Sequence, residues 1–135
     1  MTDNTETVET PALTLEQECD VLIEKLANYN VSPAEAQELA NEFLAMSYRI
    51  NKKIRNIKNE LIKLTLLERS AYSKAFSSVD SKKNVSQMKA EASAEPGYLK
   101  ASIALQKAEN ERDYWKGTYD VMNNAHIFFR NLLRD

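Results

Sequence analysis

The chain has 135 residues, of which 43% are apolar and 28% charged, enough for one domain with a core. Two Gly and three Pro leave little turn material, which argues against a compact many-looped fold and for a few long helices, and one Cys rules out an internal disulfide or a cysteine zinc site. The net charge of −2 hides an uneven order: residues 1–47 carry ten acids against Lys25 alone, 48–90 eleven bases against three acids, and 91–135 six bases and seven acids.

In chain order, residues 1–13 read as a disordered polar tail. Thr14 followed by Gln17 predicts a capping box for a short acidic helix within 14–30, about 15–28, ended by Asn28, Tyr29 and Asn30. Ser32, Pro33 and Glu35 then open a second helix, with Ser capping and Pro tolerated at the first position. From there a three–four apolar spacing persists through residue 75. One row is Ala40, Ser47, Ile54, Leu61, Glu68 and Ala75, and the other is Phe43, Ile50, Ile57, Leu64 and Ala71. Met46, Ile62, Leu66 and Leu67 make the stripe wider than a two-stranded seam needs, so a third helix or another subunit should cover them.

Residues 77–83 are polar and poor in helix formers, and a short helix capped near Asn84 or Ser86 and running to Ala94 can follow before Pro96 and Gly97. A last helix over about 98–133 has its own register: Tyr98, Ala101, Leu105, Ala108, Arg112, Trp115, Tyr119, Met122, His126, Phe129 and Leu133. The expected fold is therefore all-α, with residues 32–135 forming a long antiparallel, coiled-coil-like helical hairpin. Its long helices span about 33–76 and 98–133, joined by a 77–97 connector that carries the short helix.

Chemistry finds little support in the sequence. His126 is the single histidine, sits on the register, and has no ligand or triad partner at a characteristic spacing, so it reads as a packed or hydrogen-bonded side chain. Cys19 lies among Glu16, Glu18 and Asp20, which disfavour a thiolate. There is no Gly-rich phosphate loop. The chain is expected to be non-enzymatic, to need no cofactor or metal, and to be cytoplasmic, since no run of about 18 apolar residues can form a span.

Binding is better represented. Arg49, Lys52, Lys53, Arg55, Lys58 and Lys63 fall in fifteen residues with Glu60 as the one acid, and Arg69 and Lys74 extend the excess. They lie off the seam, where they can neutralise phosphates, and the interleaved Tyr48, Tyr72 and Phe76 can stack on unpaired bases. The competing reading is a solvated face whose cations pair with the acidic N-terminus of a neighbour. Trp115 with Tyr114 and Tyr119 reads as core or subunit interface, and all three, with Phe128 and Phe129, are expected at a homo-oligomer interface.

The order of these features resembles the UvsY-type recombination mediators of bacteriophages. The matching residues are Tyr48-Arg49 and Lys52-Lys53, then Leu67-Glu68-Arg69 leading to Tyr72, then Ser86-Gln87-Met88-Lys89, and Tyr114-Trp115 on the closing helix. The resemblance covers about residues 40–133; the acidic N-terminal helix is extra to it. It implies binding of single-stranded DNA, assembly into a ring, and loading of a RecA-like recombinase past a single-strand-binding protein. A basic element of that family implicated in DNA binding would fall on residues 66–72, where Arg69 and Tyr72 match but Leu67 stands in place of Lys. The nucleic-acid site is accordingly expected to centre on the 49–63 cluster. The alternative from another class is a coiled-coil adaptor, scaffold or inhibitor of phage origin that binds protein and no nucleic acid.

Overall fold

A computed structural model describes residues 11–27, 31–80 and 82–134. Residues 1–10 of the expected disordered tail lie outside them, as does the break expected at Asn28, Tyr29 and Asn30. Helices account for 87% of the described residues, and these contain no strand. The order is α1 (Leu15–Glu24, continued by a 3-10 turn over Lys25–Ala27), α2 (Pro33–Ser77), α3 (Val85–Ser93) and α4 (Pro96–Leu132).

Local chemistry sets each helix start. Thr14 accepts from the Gln17 N–H at 3.2 Å while its own N–H donates to Gln17 Oε1 at 3.0 Å, closing the box that opens α1. At α2, Ser32 accepts from the Glu35 N–H at 3.2 Å and Pro33 takes the first turn, where a missing N–H costs nothing. Asn84, paired reciprocally with Gln87, is the cap of α3. The last helix begins two residues earlier than the sequence pattern suggested. Pro96 and Gly97 open it rather than precede it, because the Glu95 carboxylate folds back to accept from the Tyr98 N–H at 2.9 Å. A Cβ at Gly97 would come within 2.9 Å of that same carboxylate, so glycine leaves room for the cap.

The two long helices pack against each other over their length as an antiparallel hairpin. The sense is fixed by cross-pairs at both ends: Phe43 stacks on Phe129 with centroids 5.8 Å apart, and Tyr72 meets Tyr98 edge-on at 5.3 Å. Phe43, Ile50, Ile54, Ile57 and Leu61 of α2 are buried against Trp115, Met122, Ala125 and Phe129 of α4. At roughly 1.5–3 kcal/mol for each large apolar side chain removed from water, this cluster is the main stabilising force. The polar seam positions are satisfied locally. Ser47 donates to the Leu44 carbonyl at 2.6 Å, and His126 Nδ1 donates across the hairpin to the Ala40 carbonyl at 2.9 Å.

The core is unevenly distributed. In the half of the hairpin nearest the chain ends α1 forms a third layer, adding Cys19 and Leu22 to the cluster, and Met46 is 8% exposed there. Between α1 and the tip, where α3 packs on the hairpin and buries Ala92, the two long helices stand alone: Leu64, Ala71, Leu105 and Ala108 are only half-buried, and Ile62, Leu66 and Leu67 remain 60–62% exposed. One third helix of ten residues is too short to cover a 45-residue stripe.

Candidate nucleic-acid interface

The seam occupies one side of α2 and leaves the opposite side open. Residues spaced by four and three along that open side share a face. They are Tyr48, Lys52, Arg55, Asn59, Ile62, Leu66, Arg69 and Ser73, every one of them exposed. Lys52 to Arg69 spans about 25 Å of helix axis. Lys63 lies beside this row, and Lys58 and Lys74, also exposed, lie further round the helix.

The nine residues expected to bind nucleic acid therefore divide into groups. Lys52, Arg55, Lys58, Lys63, Arg69 and Lys74 are exposed and make no ion pair with any described residue. Arg49 donates to the Glu18 carboxylate of α1 at 2.6 Å, and Lys53, half-buried, approaches Glu111 of α4 at 3.7 Å. The competing reading pairs these cations with the acidic N-terminus of a neighbour; Arg49 pairs with the acidic N-terminal helix of its own chain. Tyr72 is half-buried, stacked on Phe76 of its own helix with centroids 6.2 Å apart and edge-on to Tyr98 of α4, so its ring is partly engaged within the hairpin. Phe76 is half-buried as well. Tyr48, 67% exposed in the row with Lys52 and Arg55, is the aromatic of the three whose ring is open to a base.

At the tip, Lys82, Lys83 and Lys89 are exposed, and Lys83 pairs with Glu91 across the start of α3. Sequence spacing had not identified Glu18 and Glu111 as partners of the basic helix, since one lies 31 and the other 58 residues from the cation it meets. It had also not joined Asn59, Ile62 and Leu66 to the cationic row. The signal was present as a second three–four spacing, out of phase with the core one.

Of the five aromatic residues expected at an oligomer interface, Trp115 and Phe129 are 5% and 2% exposed inside the hairpin core, and Tyr119 packs half-buried against it. Tyr114 and Phe128 face outward. The Tyr114 hydroxyl donates to Glu16 at 3.3 Å and its ring meets Trp115 edge-on at 5.1 Å, while Phe128 meets Phe129 edge-on at 5.2 Å. Burial, then the nearby Glu16 carboxylate, push the Tyr114 phenol above its ordinary range.

The reactive side chains are occupied or shielded. Burial raises the Cys19 thiol above its ordinary value against an opposing effect from Arg49, with Asp20, Glu18 and Glu16 adding to the rise. Among the described residues no three of His, Cys, Asp and Glu are grouped to hold a metal ion, and no helix is long and apolar enough to cross a membrane.

What the fold defines is an all-α helical hairpin with a cationic outer face on its first long helix. Compared with protein-family models, curated proteins and solved structures, the chain matches none of them.

Proposed function

We propose that the chain is a non-enzymatic, self-assembling protein that binds single-stranded nucleic acid along the outer face of α2, acting as a recombination mediator of bacteriophage type in the host cytoplasm. The observation that supports this reading is the row holding Lys52, Arg55 and Arg69 with Tyr48, exposed and not neutralised by any described residue. Cations set along one rigid helix neutralise successive phosphates and release their counterions, and an adjacent aromatic can stack on an unpaired base whatever its identity. Several copies held together would present several strand-binding rows at high effective concentration, which favours loading of a RecA-like recombinase over a single-strand-binding protein without any chemical step.

The adaptor reading has an observation of its own. Ile62 and Leu66 interrupt the cationic row, with Leu67 close by, and apolar side chains 60–62% exposed suit a protein partner better than a phosphate backbone. Titration of the intact chain with a labelled single-stranded oligonucleotide separates the two. Saturable binding that weakens steeply with salt is the result expected here, and no binding at low salt would leave the adaptor.

A further inference from the structure

The outer face of α4 carries a second row, made not of charge but of exposed apolar surface. Leu99, Ile103, Asn110, Tyr114, Gly117, Val121, Phe128 and Leu132 are all exposed and, at 3.6 residues per turn, fall within about a sixth of the helix circumference. Leu99, Asn110, Val121 and Leu132 recur every eleven residues, close to three full helical turns, so the stripe drifts by only about 20° per repeat and stays on one face of α4. No charged residue stands on it between Leu99 and Leu132. Six large apolar side chains at 42–57% exposure present roughly 600 Å², at the upper end of the apolar patches that monomers leave open. With the flanking Gln106, Lys107 and Asn124 the row approaches the ~800 Å² per partner of a stable interface.

Gly117 gives the row its centre. Glycine in a helix interior is unfavourable, and a Cβ built here meets nothing within 4 Å, so packing inside the chain does not explain it. Its use would be to let another backbone or a large side chain come close. We infer that α4 pairs with α4 of a second copy, antiparallel, about a twofold axis between Tyr114 and Gly117. That axis sets Leu99 against Leu132 of the other copy, Ile103 against its Phe128, Asn110 against its Val121, and Tyr114 over its Gly117. The symmetric spacing follows from helix geometry. The matching of residue sizes does not: large apolar pairs fall at both ends, and the bulkiest central side chain falls on the glycine. Parallel pairing would instead set glycine on glycine and tyrosine on tyrosine, leaving a gap beside a clash. The pair leaves the cationic face of α2 outward on both copies.

This pairing rests on the self-assembly part of the proposed function and gives it a seam. Sedimentation of the full chain at micromolar concentrations should show dimers or multiples of them. Phe128→Glu should abolish the pairing, and Gly117→Ala should weaken it about tenfold or more, a methyl forced into a packed contact. Gly117→Ala should nevertheless raise the Tm of the isolated chain by about 4 °C, because alanine is the better helix former. Under mild oxidation the double variant Leu99→Cys/Leu132→Cys should cross-link between copies and Leu99→Cys alone should not, since its two sulfurs would stand about 50 Å apart. Circular dichroism confirms that each variant is folded. An oligomer indifferent to Gly117→Ala and Phe128→Glu, or one cross-linked by Leu99→Cys alone, overturns the α4 pair while self-assembly stands. A folded, monomeric wild type overturns both.

Discussion

Arg49 of α2 donates to Glu18 of α1 at 2.6 Å, joining the most acidic stretch of the chain to the start of the basic stretch of α2. Both side chains are partly open to water, at 52% and 35% exposure, so the pair contributes no more than about 0.2–1 kcal/mol. Its larger consequence is electrostatic, because it neutralises one cation at the edge of the candidate interface. Glu18→Gln should therefore leave the melting temperature nearly unchanged and modestly strengthen oligonucleotide binding at low salt. Parallel thermal melts and titrations of the variant and the wild type check both effects. An unchanged affinity would place Arg49 outside the region that nucleic acid senses.

The core should be far less tolerant than the exposed row. Phe43 is fully buried and stacked on Phe129, so Phe43→Ala leaves a cavity in the tightest part of the hairpin and should cost about 3–5 kcal/mol. Leu66→Ala, at a 60% exposed position, should stay within about 0.5 kcal/mol in the isolated chain. Denaturant unfolding of the two variants side by side measures the contrast.

This contrast also shows how far the sequence could be read. The positions of both α2 seam rows were legible because the three–four repeat lasts eleven places, and Ser47 in its midst proves tolerable by donating to the Leu44 carbonyl. Caps were legible for the same local reason, as with Thr14 and Gln17. Periodicity alone could not say whether Trp115 and Phe129 face their own chain or a copy, since either partner presents the same apolar spacing. Nor could it find Arg49 with Glu18 or Lys53 with Glu111, because those pairs depend on where the hairpin register and α1 come to rest. The apolar face of α4 was not legible as a second row because Asn110 and Gly117 interrupt it.

Cys19 is 1% exposed, and its thiol titrates above the ordinary range chiefly because burial disfavours the thiolate. The unfolded chain therefore loses this proton at lower pH than the folded one. The resulting stability is fully present below the unfolded thiol value and is lost as pH rises towards the folded one. Cys19→Ala should flatten the alkaline limb of a stability–pH profile. In the native wild type a thiol reagent should react only as fast as the chain opens, and prompt stoichiometric labelling would contradict the packing of α1.

His126 holds the Ala40 carbonyl at 2.9 Å across the hairpin. The acceptor has no proton to give, so Nδ1 carries the hydrogen. His126→Ala should destabilise the fold by about 1–2 kcal/mol through lost packing and one lost hydrogen bond, with oligonucleotide affinity unchanged. Paired unfolding and binding measurements distinguish this structural role from a part in nucleic-acid contact.

The central claim is that the outward cations of α2 meet phosphates, and the slope of log affinity against log salt for a single-stranded oligonucleotide tests it most directly. Lys52→Ala/Arg55→Ala should weaken binding for all base sequences and flatten that slope by about 0.7 for each contact removed. Helicity and assembly should be unaffected, because both side chains are exposed on the face away from α4. Arg69→Ala should show a smaller loss of the same kind, and Tyr72→Phe, inside the hairpin, none. A wild-type chain that does not bind, or a double variant with the wild-type slope, would contradict the account.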